Sequence, residues 1–290
     1  MIYRRRVSPL HSARAGAGCV YCLALGIAAL MAANPIVLAA VVVAVLGAGL
    51  AAGVGRPMLR AAVWGIPVAL VIMLINAFVS HEGLTVIVRL GNLPILGDTE
   101  ITLEATVYGA ILGLRAVALI LCGLLYTLAV DPDEVLRLFR RVSFRSALSA
   151  TLATRMVPIL VRDGRRLAEA QRCRPGAPPS RLALMRAACT GVLDRALDVA
   201  AALEVRGYGS ARRPPAYRPG AGGYSRHDIA FVASAVVVVA VSIVARVTPA
   251  AAFSAYPVLT VAAGPGTLAL AGGLIVVTLA PFADRRGLAR

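Results

Sequence analysis

Residues 15–55 read AGAGCVYCLALGIAALMAANPIVLAAVVVAVLGAGLAAGVG and contain no charged side chain. A helix needs about 20 apolar residues to cross the hydrocarbon core of a bilayer, where its backbone polar groups can be satisfied only within the helix. The stretch is too long for one crossing, and Asn34-Pro35 near its middle is a turn signal. It therefore predicts a pair of transmembrane helices near residues 19–33 and 35–53.

The rest of the chain also has the composition of a membrane protein. Of its 290 residues, 59% are hydrophobic and 15% are charged, whereas about 25% are charged in ordinary soluble domains. Further apolar runs predict helices at residues 61–79, 105–130, 229–245 and 266–282. We therefore expect an all-α polytopic membrane protein with about six transmembrane helices.

The distribution of arginine predicts the orientation of these helices, because basic residues accumulate in cytoplasmic loops. Arginines occur before the first predicted helix, between the second and third (Arg56 and Arg60) and after the last. The loop at residues 80–104 instead carries four acidic residues and one arginine. We expect a multi-pass protein of the plasma membrane with both termini in the cytoplasm and this loop outside.

One long polar segment interrupts the apolar helices. Residues 131–227 hold eighteen of the thirty arginines and eight of the fourteen acidic residues. We therefore divide the chain into N-terminal transmembrane helices 1–4 (residues 1–130), a cytoplasmic domain (131–227) and C-terminal transmembrane helices 5–6 (228–290). The cytoplasmic domain begins with Asp131-Pro132-Asp133-Glu134, a pattern that starts helices, and a short amphipathic helix is predicted at residues 135–141.

Two long amphipathic helices are predicted next, and the apolar seam of each ends in an arginine. Apolar positions recur every three or four residues up to Arg174 in the first helix and Arg206 in the second. Pro175-Gly176 and Gly207 follow, as helix ends prefer. The two arginines are either solvated at the ends of a hairpin that buries its seams, or presented for bidentate docking on a partner carboxylate. The repeated ending favours docking.

The two endings read AEAQRCRPG (168–176) and AALEVRGYG (201–209). They resemble the Ala-Arg-Gly-type signatures of the transmembrane T component of energy-coupling factor (ECF) transporters, the EcfT/CbiQ family, which includes the cobalt-transport membrane subunit. The first ending departs from that signature at Cys173 and Pro175. Further similar stretches, in consistent order over roughly residues 60–245, include Asn76-Ala77-Phe78, Ile101-Thr102-Leu103-Glu104-Ala105, Gly113-Leu114-Arg115, Asp131-Pro132-Asp133 and Arg155-Met156-Val157-Pro158.

The resemblance implies a non-catalytic coupling subunit of an ECF-type ABC importer in the bacterial plasma (inner) membrane. Such a subunit sits on two ABC-type ATPase subunits (A and A′) and holds a small membrane substrate-binding S component, and it transmits ATPase movement for uptake of a vitamin or a transition-metal ion such as cobalt. By this resemblance Arg174 and Arg206 would contact the ATPases. The residues beside them would form the two tips of the coupling-helix domain: Cys173, Gly176, Val205 and Gly207.

The sequence lacks residues or patterns that several classes of function require. The chain has no lysine, so it has no P-loop lysine, and ATP hydrolysis is expected in the partner ATPases. The three histidines show no ligand spacing, and the CxxC of Cys19 and Cys22 lies at the start of an apolar run, so neither a metal site nor a cofactor is predicted. The basic segment lacks interleaved aromatic residues, which argues against nucleic-acid binding.

Two rival functions and one intramembrane charge remain open. A CDP-alcohol-type membrane phosphotransferase is suggested by Asp163-Gly164 together with Asp194 and Asp198, although the spacing of these residues does not fit that class of enzyme. Ion pairs of Asp194 or Asp198 with Arg195 or Arg186 explain the two acids more simply. A generic secondary transporter or channel is the other rival. Arg115 inside the fourth predicted span is either part of a structural intramembrane pair or a contact to the S component.

Overall fold

A computed structural model of the protein describes residues 8–79, 85–93, 97–139, 144–173, 181–205, 207, 225–254 and 260–284. The chain forms two compact units. The first, Met1–Pro132 with Gly223–Arg290, is called the membrane unit below, and the second, Asp133–Gly222, is called the insert unit.

The helices are α1 (Pro9–Ser12), α2 (Ala15–Met31), α3 (Pro35–Ala51), α4 (Gly55–Val79), α5 (Leu103–Ala129), α6 (Pro132–Phe139), α7 (Phe144–Arg172), α8 (Arg181–Val205), α9 (Arg226–Val247) and α10 (Pro265–Leu279). A 3-10 turn, Ala280–Phe282, continues α10. Two short antiparallel hairpins pair β1 (Val86–Leu93) with β2 (Gly97–Thr102) and β3 (Phe253–Ser254) with β4 (Thr260–Val261).

The predicted fold class, an all-α polytopic membrane protein, is confirmed. Four described helices are long and apolar enough to cross a bilayer: α4, α5, α9 and α10 with its 3-10 turn. The two shorter apolar helices, α2 and α3, have 17 residues each, at the lower end of the range that spans a bilayer. All six lie where the apolar runs predict them, within about six residues at each end.

The turn predicted at Asn34-Pro35 separates α2 from α3. The Asn34 side chain accepts a hydrogen bond from the Ile36 N–H at 2.9 Å, and Pro35 is the first residue of α3, so the residue types set the start of the helix. Asn34 also donates to the Ala262 carbonyl at 2.9 Å. This side chain therefore attaches the α2–α3 turn to the segment that precedes α10.

The core of the membrane unit lies where α2 and α3 pack against α5, α9 and α10. Three aromatic rings join three elements: Tyr21 on α2, Phe231 on α9 and Phe282 after α10 are edge-to-face, with centroids 5.1–6.2 Å apart. The buried Tyr21 hydroxyl donates to the Thr278 carbonyl at 2.8 Å, so its polar end is satisfied. The first and last apolar helices are thus held together.

A buried carboxylate places the starts of α2 and α9 side by side. Asp228, 1% exposed, accepts the Arg14 N–H at 2.7 Å and the Ser225 N–H at 2.9 Å. Ser225 and Asp228 form a capping box at the start of α9, and Arg14 is the N-cap residue of α2. The two helices therefore begin at the same face of the membrane unit, as the predicted six-helix topology requires.

Helices α4 and α5 approach each other closely at two glycines. A Cβ atom on Gly109 would lie 2.9 Å from the Met73 Cα, and one on Gly113 would lie 2.7 Å from the Ala69 carbonyl oxygen. Glycines four residues apart allow such contact between membrane helices. The sequence analysis did not single out this pair, although its spacing is visible in the sequence.

The β1–β2 hairpin occupies part of the loop predicted at residues 80–104, and it was not predicted. Its register pairs Arg89 with Glu100 and Val86 with Thr102. At its base the Thr85 hydroxyl donates to the buried Glu104 carboxylate at 2.8 Å, and the Leu103 N–H donates to the Thr85 carbonyl at 2.9 Å. The hairpin is thereby attached to the first turn of α5.

Replacing Gly113 by Ala should destabilise the membrane unit by about 1–3 kcal/mol, because the added Cβ overlaps the α4 backbone at Ala69. The measurement is the midpoint of unfolding of the purified protein in detergent. Gly123→Ala is the matched control on the same helix, since a Cβ there meets nothing within 4 Å, and it should leave the midpoint unchanged or raise it slightly. Equal effects of the two substitutions would contradict the close packing.

Candidate functional site

An ion pair connects the two long helices of the insert unit. Arg195 Nη1 on α8 donates to Asp163 Oδ2 on α7 at 2.6 Å, and both side chains are partly exposed. The sequence predicts that Asp194 or Asp198 pairs with Arg195 or Arg186 on the same helix. That expectation is wrong, because the Arg195 side chain reaches across to α7.

The two helices are loosely packed around this ion pair. A cleft of about 620 Å³ lies between them, and Asp163 and Arg195 are both in its wall. Half of the remaining lining consists of Gly and Ala residues, and the other half includes the larger apolar residues Leu160, Leu167 and Val192. The small residues are Gly164, Ala170, Ala187, Ala188 and Gly191. A Cβ atom on Gly164 or Gly191 would meet nothing within 4 Å. Because side chains do not fill the space between the helices, we infer that the ion pair helps to restrain how α7 and α8 cross.

The ion pair lies at a similar distance from the ends of both helices. Asp163 is nine residues before the last residue of α7, and Arg195 is ten residues before the last residue of α8. At about 1.5 Å per residue, each helix extends roughly 14–15 Å beyond the pair. A change in crossing angle at the pair would therefore move both helix ends by similar amounts.

The end of α8 is exposed and stops at the predicted glycine. Val205, the last helical residue, is 89% exposed. Gly207 has φ 75°, a left-handed conformation that ends helices, and its N–H donates to the Glu204 carbonyl at 2.8 Å. Arg206 lies outside the described residues, although both of its neighbours in sequence are described and exposed.

The end of α7 is also exposed. The helix ends at Arg172, and the N–H of the following residue, Cys173, donates to the Glu169 carbonyl at 3.2 Å. Cys173 is exposed, whereas Arg174 and Gly176 lie outside the described residues. Of the six predicted tip residues, the three that the structure describes (Cys173, Val205 and Gly207) are therefore all exposed.

Part of the apolar surface of α8 is not covered by the described residues of the insert unit. Four large apolar side chains on α8 are each more than 60% exposed: Leu182, Met185, Leu193 and Leu197. The partly buried residues Ala188, Arg195 and Val199 instead lie on another side of the helix. Helix α8 thus keeps an apolar surface of its own, while its predicted seam residues Cys189 and Val192 line the cleft between α7 and α8.

Arg115 binds the end of a neighbouring helix in the membrane unit. Its Nη2 donates to the Ala32 carbonyl at 2.9 Å, and Ala32 is the C-cap residue of α2. A cation at this position is favoured by the free carbonyl groups and by the negative end of the helix dipole. The contact agrees with a structural role for Arg115, the first of the two roles left open by the sequence.

The described residues also include the side chains that metal-dependent chemistry would use. No group of three or more His, Cys, Asp or Glu side chains among them could hold a metal ion. Of the acids that suggested a phosphotransferase, Asp163 is paired with Arg195, and Asp194 and Asp198 are exposed on α8. Cys19, Cys22 and Cys122 are free thiols in the membrane unit.

Comparison with known families gives one match over most of the chain. The family model described as CbiQ, cobalt transport protein, matches residues 6–216. This range includes α2 to α5 and both long helices of the insert unit. No curated protein was found to match the chain.

Replacing Asp163 by Asn should loosen the crossing of α7 and α8, because the amide loses the charge that holds Arg195. Spin labels on Cys173 and on Val205→Cys, with the other cysteines replaced, would report the distance between the two tips. We expect a broader distance distribution in the variant and a narrow one again after exchange of the two residues (D163R with R195D). Asp198→Asn, an exposed acid of α8, is the control. If D163N behaves like this control, the ion pair does not restrain the helices.

Replacing Arg115 by Gln should lower the stability of the membrane unit by about 1–3 kcal/mol, because the Ala32 carbonyl loses a charged donor. Arg115→Lys should retain part of the stability. Thermal unfolding of the protein alone in detergent measures both, with Arg246→Gln as an exposed control. A normal unfolding temperature together with lost transport would instead assign Arg115 to a partner contact.

Proposed function

The chain belongs to the CbiQ cobalt transport protein family, and from this membership we propose that it is the T component of an energy-coupling factor transporter. Membership already gives a transmembrane component of a transport system that works with other subunits. The proposal adds the specific role. The protein couples two ABC-type ATPase subunits to a small membrane S component that binds the substrate.

The observation that carries this proposal is the exposure of both helix ends in the insert unit. Cys173 at one end and Val205 and Gly207 at the other are exposed, and each end adjoins a motif with an arginine at its centre. A guanidinium held at such a tip can form two parallel hydrogen bonds with a carboxylate. We assign Arg174 and Arg206 to contacts with acidic grooves, one on each ATPase subunit.

The charge of the insert supports anionic docking sites on the partners. Residues 131–227 carry eighteen arginines against eight acidic residues. Such an excess speeds association with an acidic surface, and the close pairs then hold the complex. The absence of lysine from the chain fits a subunit that contributes no P-loop of its own.

The loosely packed crossing of α7 and α8 suggests how movement is transmitted. When the ATPases close, they shift the two tips relative to each other. The helices then turn about the Asp163–Arg195 pair, which has about 14–15 Å of helix on the tip side of each partner. The reoriented helices tilt the S component, which releases a vitamin or a transition-metal ion toward the cytoplasm.

We place the protein in the bacterial plasma membrane, with both termini and the coupling-helix domain, residues 131–227, on the cytoplasmic side. The arginine distribution supports this orientation. The shared face of the α2 and α9 starts, fixed by Asp228, is consistent with it. Residues 1–130 and 228–290 then provide the transmembrane helices.

Arg174→Ala and Arg206→Ala should each weaken association with the ATPase subunits by about 2–5 kcal/mol, because each leaves a desolvated carboxylate unpaired. Substrate uptake should fall accordingly, while the amount of protein in the membrane stays unchanged. The measurements are co-purification of the ATPases from native membranes and uptake in cells.

Matched controls are Arg162→Ala on α7 and Arg186→Ala on α8, which remove the same charge from exposed positions away from the tips. Affinity purification of the unaltered protein should yield two cassette ATPases and a small hydrophobic protein. Normal co-purification and uptake in the Arg174/Arg206 double variant would overturn the assignment, and metal-dependent transferase activity of the purified chain would favour the phosphotransferase.

A further inference from the structure

The first two turns of α4 carry a pair of arginines with no protein partner among the described residues. Arg56 and Arg60 are both exposed, and neither makes a hydrogen bond or ion pair with any described group. Two arginines elsewhere in the membrane unit are engaged, since Arg14 meets Asp228 and Arg115 meets the Ala32 carbonyl. Arg56 and Arg60 thus retain ten N–H donors for another ligand.

An exposed tryptophan lies on the same side of the helix. Trp64 is four residues after Arg60 and 76% exposed, and positions i, i+4 and i+8 share a helix face. It is the one tryptophan of the chain. Tryptophan is enriched where hydrocarbon meets headgroups, because its ring is apolar and its N–H can donate. The three side chains therefore combine a cationic end with an interfacial anchor.

The position of α4 puts these arginines at headgroup level. The helix has 25 residues, or about 37 Å at 1.5 Å per residue, which exceeds a hydrocarbon core of about 30 Å. It is also the least covered of the four long apolar helices, with 11% of its most apolar stretch buried. Val71 and Leu74 continue the face of Arg56 and Trp64 toward the bilayer centre, and both are exposed.

We propose that this face of α4 binds an anionic phospholipid. The guanidinium groups of Arg56 and Arg60 hold the phosphate, whose negative charge no cation in the headgroup balances, and the Trp64 ring lies against the upper part of an acyl chain. Val71 and Leu74 contact the rest of that chain. The headgroup of a zwitterionic lipid carries no net charge. Its attraction to the two guanidinium groups is therefore weaker, and the lipid is bound less well.

Charge complementarity favours this occupant over a protein. The chain carries a formal net charge of +16, and anionic leaflets attract such surfaces. A protein on this face would have to place two acidic groups beside Arg56 and Arg60 at the membrane surface and cover Trp64. An anionic lipid places its negative charge beside the two arginines and its hydrocarbon beside Trp64, so its two parts match the two parts of this face.

Trp64 makes the proposal directly measurable, because brominated acyl chains quench tryptophan emission on contact. The full chain is placed in lipid nanodiscs with a brominated phosphatidylglycerol or a brominated phosphatidylcholine as the minor component. We expect the anionic lipid to quench Trp64 at a concentration about fivefold or more lower than the zwitterionic lipid, since one arginine near the surface contributes a factor of about five. Raising the salt concentration should reduce this preference.

The variant R56Q/R60Q should lose the preference, and R56K/R60K should retain most of it. Arg246→Gln is the matched control, because it removes an exposed arginine near the end of α9, at the opposite face of the membrane unit from the α9 start. Equal quenching of the unaltered protein by both lipids would overturn the proposal. So would an undiminished preference in R56Q/R60Q, or shielding of Trp64 from both lipids, which would indicate a protein at this face.

Discussion

The absence of water from the hydrocarbon core is the constraint on which the membrane unit depends, because backbone groups there must find partners within the protein. Helices satisfy this requirement along their lengths, but each helix end leaves donors or acceptors free. Side chains meet that need at several ends: Asp228 at the starts of α2 and α9, Asn34 at the start of α3, and Arg115 at the end of α2. Polar side chains of this unit thus satisfy backbone groups at three of its helix starts and at one helix end.

The insert unit is held together less tightly than the membrane unit. Its two long helices are joined by an ion pair across an open cleft, and α8 keeps large apolar side chains exposed. In such an arrangement the helices of the unit stabilise each other less by packing, and apolar surface stays available for contact with other molecules. A membrane unit closed by buried contacts and an insert unit with open surfaces fit the proposed role, in which the subunit transmits movement while remaining anchored.

The sequence predicted features that depend on local spacing and missed those that depend on where helices meet. Apolar runs located the six apolar helices, and residue preferences at Asn34-Pro35 and Gly207 located helix ends, because these signals act over a few neighbouring residues. The Asp163–Arg195 pair could not be assigned, because it joins residues 32 positions apart through the crossing of two helices. The β1–β2 hairpin was missed because its residues lack a strict alternation of polar and apolar types.

The hydrogen bond between Tyr21 and Thr278 joins residues separated by 257 positions. This separation sets the order in which parts of the protein can assemble during synthesis. Helix α2 leaves the ribosome early, yet its partners α9 and α10 are synthesised only after the whole insert has emerged. The insert, whose helices meet over a much shorter stretch of chain, can form first. The helices that are inserted early therefore stay in the bilayer without their contacts to α9 and α10. These last two helices complete the bundle only when translation is nearly finished.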